Sequence, residues 1–83
     1  MKVIVDDKIP YIREALREMN IEAQYVEGSK FTSAIVSDAD ALIVRTRTHC
    51  DGALLEGSRV QFIATATIGY DHIDTEYCAQ NKI

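Results

Sequence analysis

The stretch Val60-Gln61-Phe62-Ile63-Ala64-Thr65-Ala66-Thr67-Ile68-Gly69-Tyr70-Asp71-His72-Ile73-Asp74 decides the fold class of this chain. It opens as an apolar, β-branched run, which is typical of a strand buried on both faces of a sheet. It then passes through small and hydroxyl-bearing residues to Gly69 and ends on Asp74, a residue type favoured at helix N-caps. A strand that leads through such a loop into a helix leaves backbone N–H groups free to bind a carboxylate or a phosphate.

Apolar segments upstream predict three further strands, each followed by a helix. The strands are expected at residues 2–6, 21–26 and 41–44, the second of them near a sheet edge. The first helix is expected to have Pro10 in its first turn, the second to follow a cap at Thr32 or Ser33, and the third to lie between Asp51 and Gly57. This alternation predicts a parallel α/β sheet with right-handed crossovers, in one possible strand order 2-1-3-4-5. Ile83 would begin the fifth strand, so the chain is expected to be part of a larger domain.

Composition and charge restrict the partners of the chain. The 83 residues carry a net charge of −4, which disfavours nucleic acid and anionic membranes because neither attracts an acidic surface. No apolar run approaches the roughly 20 residues of a membrane-spanning helix. Cys50 and Cys78 lack the spacing of metal ligands and are expected to be reduced thiols in a cytosolic protein. No metal site is predicted.

Polar residues follow three of the predicted strands, where ligands of open parallel sheets bind. These strand ends carry Asp6-Asp7, Arg45-Thr46-Arg47-Thr48 and the loop from Ala66 to His72. An arginine holds a carboxylate or a phosphate through paired hydrogen bonds, and the hydroxyls of Thr46 and Thr67 can each donate one more. The sequence therefore predicts an anion-binding crevice at this edge of the sheet.

Each of these residues also has a simpler interpretation. Arg45 or Arg47 would be solvated or paired with the acidic residues that follow the first strand. The hydroxyl of Thr65 would return to a backbone carbonyl. His72 is expected to stand at the start of a helix, because nothing in the sequence supplies it with a catalytic partner.

The sequence lacks the parts of a complete nucleotide-dependent enzyme. Its four glycines, at positions 28, 52, 57 and 69, form no G-x-G-x-x-G turn, so no dinucleotide fingerprint is present. No cluster of side chains offers a general acid and base. The chain by itself is expected to contain no catalytic residue and no cofactor-binding residue.

The segments Val44–Thr48, Leu54-Leu55 and Phe62–Asp74 together resemble the N-terminal part of the D-isomer-specific 2-hydroxyacid dehydrogenases. Val5–Pro10 and the Thr-Ala-Thr-Ile-Gly form of the loop are most similar to members that act on a small phosphorylated hydroxy acid. The resemblance covers nearly the whole chain. It implies that residues 1–83 are the first lobe of a flavodoxin-like substrate domain in a two-domain enzyme, whose NAD-binding Rossmann domain lies outside this chain.

The same resemblance implies roles for individual residues. Thr46 and Thr67 match the positions of two substrate contacts, and Arg45 precedes the first of them. Many relatives have Ser where this chain has Thr46, which keeps the donor and adds a methyl group. The catalytic Arg, Glu and His of the family lie beyond residue 83. The full-length protein is expected to be a cytoplasmic homodimer that uses NAD.

Two other functions are compatible with an α/β sheet of this kind. A receiver-like or anion-binding module without catalysis would use Asp6-Asp7 as an acidic pair and Thr65 or Thr67 as the hydroxyl after strand four. That interpretation requires an aspartate after strand three, where this chain has Arg45, and a cation there opposes metal binding. A scaffold without any site is the third possibility.

Overall fold

A four-stranded parallel sheet forms the centre of the molecule. The computed structural model describes residues 2–66 and 72–83. The strands are β1 (Val3–Asp6), β2 (Ala23–Val26), β3 (Ala41–Val44) and β4 (Phe62–Thr65). Their order in the sheet is β2-β1-β3-β4, which confirms the predicted order as far as the fourth strand. All three pairings are parallel, with Val3 opposite both Ala23 and Ala41.

Four helices connect and cover these strands. They are α1 (Ile12–Glu18), α2 (Ser33–Val36), α3 (Gly52–Leu55) and α4 (Thr75–Gln80). A single 3-10 turn over Gly28–Lys30 precedes α2. No helix within residues 2–66 and 72–83 has the length and apolar character needed to cross a membrane.

The predicted helix caps are confirmed for the last three helices. The side chains of Thr32, Asp51 and Asp74 accept hydrogen bonds from backbone N–H groups in the first turns of α2, α3 and α4. Gly57 follows α3 with a φ of 78°, a left-handed conformation that favours glycine. The helix after Pro10 differs from the prediction, because α1 begins two residues later, behind Tyr11 in a left-handed conformation.

The core lies on both faces of the two central strands. On one face, Ile4, Leu42 and Val44 pack with residues of α2, α3 and α4 in the larger of two buried clusters. On the other face, Val3, Val5 and Ala41 pack against Leu16 of α1. β1 and β3 are therefore continuous apolar runs for the reason expected of inner parallel strands, which have helices on both sides.

The prediction for the fourth strand is wrong in one respect. β4 begins at Phe62, not Val60, and Phe62 is 60% exposed, so the strand is not buried on both faces. The physical reason is its position, since β4 pairs only with β3 and lies at the edge of the described sheet. Ile83 is also not in a strand: its N–H donates to the carbonyl of Cys78, and its side chain packs against the larger cluster.

Candidate functional site

The carboxyl ends of β1 and β3 meet the 3-10 turn at one edge of the sheet. The loop after β3, residues 45–48 and here termed the β3 loop, connects to this turn through Thr48. The Thr48 hydroxyl donates to the carbonyl of Gly28 over 3.0 Å, and Thr48 is buried. The topology thus brings together segments that are 20 residues apart in the chain.

Asp6 is the buried acidic residue of this edge. It is 0% exposed, and its Oδ1 accepts a hydrogen bond from the backbone N–H of Lys8 over 2.8 Å. Its Oδ2 is buried and has no hydrogen-bond partner within the described residues. Asp7, in contrast, is exposed, and its backbone N–H donates to the carbonyl of Val26. The two acidic neighbours therefore have different environments, and Asp7 stands apart from the site.

The two arginines of the β3 loop occupy different positions. Arg45 donates from Nη1 to the carbonyl of Lys8 over 3.2 Å, which attaches the β3 loop to the turn after β1. Arg47 is exposed and lines an open cleft. Among the residues that the structure describes, the two ion pairs are Lys2–Asp38 and Arg59–Asp40. Neither Arg45 nor Arg47 forms an ion pair with Asp6 or Asp7 in this structure, and the exposure of Arg47 agrees with the solvated alternative.

Of the two threonines expected to contact a ligand, one is described. Thr46 is exposed between the two arginines, and its hydroxyl has no hydrogen-bond partner in the described part of the chain. This exposed hydroxyl, on a residue flanked in the sequence by two arginines, is free to donate to an anion. Thr67 lies outside the described residues, so its predicted role stays a prediction.

A cleft of about 330 Å³ opens beside the β3 loop, between the 3-10 turn and the segment that leads into α3. Arg47 and His49 line it, together with hydroxyl-bearing residues of the neighbouring turns and apolar residues of α3; the hydroxyl-bearing residues are Ser29, Thr32, Ser33 and Thr48. The cleft also contains Gly28 and Ser29, two residues that the sequence does not predict at the site. The signal that identifies them is their position directly after the second strand, whose carboxyl end faces the same edge.

His72 has a partner that the sequence did not reveal. Its Nε2 lies 2.8 Å from Oγ1 of Thr65, and the residue is only 6% exposed. Its backbone carbonyl accepts a hydrogen bond from the N–H of Cys50, and Ile73 forms an isolated parallel bridge with that cysteine. The buried position suits a structural role beside the start of α4.

The two cysteines are free and buried in the larger cluster. Burial raises the pKa of the Cys50 thiol to about 12, with smaller contributions from Cys78 and Asp51. Burial also raises the pKa of Cys78. Within residues 2–66 and 72–83, no group of three or more His, Cys, Asp or Glu side chains is arranged to hold a metal ion. The chemistry available at the described edge is anion binding by arginine and hydroxyl donors.

Comparison with known proteins assigns the chain to a family. A family model described as D-isomer specific 2-hydroxyacid dehydrogenase, catalytic domain, matches residues 2–83. The chain belongs to this family. The resemblance inferred from Val44–Thr48 and Phe62–Asp74 is therefore confirmed. The receiver-like alternative fails on the same match and on the structural position of Arg45 directly after β3.

Curated relatives refine this assignment. Erythronate-4-phosphate dehydrogenase of Bacteroides thetaiotaomicron is 68% identical over 83 residues, which are 100% of this chain and 24% of that protein. The enzyme of the same name from Shewanella woodyi is 44% identical over 84 residues, covering 100% of this chain and 21% of the relative. The chain thus spans about a quarter of the length of these relatives. Their high identity confirms the closer resemblance carried by Val5–Pro10 and by the Thr-Ala-Thr-Ile-Gly loop.

Solved structures share the fold. An NAD+-bound 3-phosphoglycerate dehydrogenase of Entamoeba histolytica superposes with a TM-score of 0.81 at 33% identity, over 100% of this chain and 31% of that chain. The TT0316 protein of Thermus thermophilus has a TM-score of 0.82 at 24% identity, over 100% of this chain and 29% of that chain. The second likeness concerns the fold alone. Together they confirm an α/β segment that occurs within longer proteins.

Proposed function

We propose that residues 1–83 are the N-terminal part of the substrate domain of an NAD-dependent dehydrogenase. The full-length protein oxidises 4-phospho-D-erythronate to 2-oxo-3-hydroxy-4-phosphobutanoate, a step on the route to pyridoxal 5'-phosphate. The observation that carries this proposal is the 68% identity, over every residue of the chain, to a protein named erythronate-4-phosphate dehydrogenase. The Thr-rich loop after β4 and the Arg-Thr-Arg sequence after β3 support it.

In this proposal the substrate contacts of the chain are Thr46, Thr67 and Arg45. The substrate carries a carboxylate, a phosphate and hydroxyl groups, so it needs donors at its anionic ends. Thr46 supplies an exposed hydroxyl, and Arg45 supplies a guanidinium whose Nη1 already bonds to the carbonyl of Lys8. The guanidinium of Arg45 has five N–H donors in a planar arrangement, so donors remain to bind an anion.

The cofactor in this proposal is NAD, held by the part of the protein outside residues 1–83. The chain supplies no glycine fingerprint, so its own residues do not fit a dinucleotide. The NAD+ of the Entamoeba histolytica neighbour supports the choice of nucleotide. The chemistry that NAD would supply is a hydride acceptor for the carbon that bears the oxidised hydroxyl. The residues described here bind and orient the hydroxy acid.

A cytoplasmic homodimer is the assembly proposed for the full-length protein. The free, buried thiols of Cys50 and Cys78 are compatible with a reducing compartment. The exposed apolar edge described for β4 also requires further protein to cover it, either from the same chain or from a second subunit.

The test is a comparison of substrates with purified full-length protein. We expect NADH formation, followed at its absorbance band, with 4-phospho-D-erythronate in the presence of NAD. D-erythronate, which lacks only the phosphate, serves as the matched control and is expected to react much more slowly. Equal rates with 3-phospho-D-glycerate would place the protein elsewhere in the family. Absence of oxidation of any phosphorylated hydroxy acid would refute the proposed activity.

A further inference from the structure

The unpartnered oxygen of Asp6 faces a specific neighbour. A Cβ placed on Gly28 would lie 2.6 Å from Oδ2 of Asp6 and 3.5 Å from both Cβ and Nε of Arg47. The carboxylate and the arginine side chain therefore both border the position that a side chain on residue 28 would occupy. Glycine leaves this position open, and a Cβ at 2.6 Å from an oxygen would force a displacement.

The other oxygen of Asp6 acts on the first arginine. Oδ1 accepts the N–H of Lys8 over 2.8 Å, which fixes the turn after β1. The carbonyl of Lys8 in that turn accepts Nη1 of Arg45 over 3.2 Å. A single buried carboxylate thus holds, through one backbone turn, a guanidinium at the start of the β3 loop.

A buried carboxylate oxygen is costly without a donor, because transfer from water removes its hydrogen bonds. Arg47 is the cation nearest to the open space, its side chain is exposed, and its guanidinium carries five N–H donors. Changes among staggered side-chain rotamers redirect such a group without moving the backbone. The backbone on either side is already fixed, since Thr48 donates to the carbonyl of Gly28.

We propose that Asp6 is the positioning residue of the β3 loop, holding Arg45 through the Lys8 turn and seating the guanidinium of Arg47 on Oδ2 across Gly28. Thr46 lies between these two arginines, so both anchors set where its hydroxyl stands. The functional part of this inference rests on the proposed function, because it requires the β3 loop to bind the hydroxy acid. The geometric part, the Asp6–Arg47 contact, does not.

The geometric part is tested by NMR on 15N-arginine-labelled full-length protein. Arg47→Met assigns the Arg47 signal, and the exchange rate of its Nε–H with water is then measured. We expect exchange about tenfold slower than for an unrestrained guanidinium, as for other hydrogen-bonded N–H groups. Asp6→Asn keeps the Oδ1 acceptor for Lys8 but turns an NH₂ donor toward Arg47, so it should abolish the protection. Asp7→Asn, the exposed neighbour, should leave it unchanged.

The functional part is tested by kinetics of the same variants. Asp6→Asn should raise KM for 4-phospho-D-erythronate about tenfold and leave kcat within about twofold, the pattern of lost uniform binding. The double variant Asp6→Asn/Arg47→Met should be no worse than Arg47→Met alone, because both act through one contact. Asp7→Asn should match the wild type. An unchanged KM in Asp6→Asn, or additive effects in the double variant, would overturn the positioning role.

The NMR and kinetic measurements distinguish a failure of the proposed function from a failure of the proposed Asp6–Arg47 contact. If the wild-type protein does not oxidise 4-phospho-D-erythronate, the proposed function fails while the exchange measurement still tests the Asp6–Arg47 contact. If Asp6→Asn does not fold, as judged by circular dichroism, the exchange rate of the Arg47 Nε–H in the wild-type protein tests the contact instead. Rapid exchange at Arg47 in the folded wild type means that water solvates Oδ2, and the proposal is then wrong.

Discussion

Nε2 of His72 lies 2.8 Å from Oγ1 of Thr65. This hydrogen bond connects the last residue of β4 to a residue three positions before the start of α4. The ring is buried beneath this contact. The hydrogen bond joins the two ends of the segment that contains Thr67. The stability of the fold therefore depends in part on this pair of side chains.

Replacing Thr65 with valine should destabilise the chain. The variant keeps the β-branched shape but leaves a buried imidazole nitrogen without its partner, which costs about 1–3 kcal/mol. Urea denaturation followed by circular dichroism measures the free energy of unfolding. Thr65→Ser, which keeps the hydroxyl, is the matched control and should lose less. An effect of equal size in the serine variant would assign the loss to packing rather than to the hydrogen bond.

Replacing Thr46 with valine should impair substrate use without affecting stability. Its hydroxyl is exposed and has no partner within residues 2–66 and 72–83, so its removal leaves no buried group unsatisfied. In the full-length protein we expect kcat/KM for 4-phospho-D-erythronate to fall. The decrease should correspond to a loss of about 1–3 kcal/mol of transition-state stabilisation. Thr46→Ser should retain most of the activity, and Thr67→Val should behave like Thr46→Val. A valine variant with normal kcat/KM would remove Thr46 from the site.

The free energy of unfolding should decrease in alkaline solution because of Cys50. Burial raises the pKa of its thiol to about 12 in the folded chain, whereas a cysteine in the unfolded chain has a pKa of about 8.5. Below that lower pKa both states are protonated and the full stabilisation is present. Between the two values only the unfolded state loses its proton, so stability falls by at most about 1.4 kcal/mol per pH unit from this group.

The measurement is urea denaturation from pH 8 to pH 11 for the wild type and Cys50→Ala. The difference between the two slopes isolates Cys50 from lysine and tyrosine titrations. A wild-type slope no steeper than that of Cys50→Ala would show that the thiol is not protected. Thiol reagents at pH 8 should likewise react with Cys50 only after unfolding, since the thiolate is the reactive form.

The isolated 83-residue chain should self-associate through the face of the sheet on which Val3 and Ala41 pack against α1. An apolar groove of about 400 Å³ lies between α1 and the edge strand; its lining residues are Val3, Ile12, Ala15, Leu16, Met19, Ile21, Ala41, Ile43 and Phe62. Met19 and Phe62 in this groove are 64% and 60% exposed. Exposed apolar surface beside an unpaired strand edge favours pairing between copies.

Sedimentation at several concentrations tests this expectation. Phe62→Lys should shift the chain toward monomer, because a charge on an edge strand opposes pairing. Tyr11→Lys is the matched control, since Tyr11 is 84% exposed and lies outside the groove. A wild-type chain that stays monomeric at all concentrations, or a Tyr11→Lys variant with the same effect as Phe62→Lys, would contradict the argument.

The isolated chain should bind neither NAD nor NADH. The glycine fingerprint that brings backbone N–H groups to a pyrophosphate is missing, and the described cleft lacks a long helix with its N-terminus at the opening. Isothermal titration calorimetry of the chain with each nucleotide provides the measurement. Micromolar affinity would mean that residues 1–83 contain a nucleotide site that neither their sequence nor their cleft indicates.

Local chemistry determined the elements of this fold. Continuous apolar runs such as Ala41–Val44 identified the inner strands, because only strands covered on both faces are apolar throughout. Thr32, Asp51 and Asp74 identified helix starts, because their side chains satisfy N–H groups that the helix itself leaves free. The α/β class, the order of elements and the family could all be read from the sequence at this level.

Tertiary structure decided what depends on distant neighbours. Whether β4 is an inner or an edge strand depends on what pairs with it, and its sequence resembles that of an inner strand. The partner of His72 is seven residues away in the chain, and the contact of Thr48 with Gly28 spans 20 residues. The burial of Asp6, with Oδ1 bonded to the N–H of Lys8 and Oδ2 buried beside Gly28, follows from the meeting of three segments at one sheet edge. Sequence spacing carries no information about such distances, because the chain sets them only when its strands align.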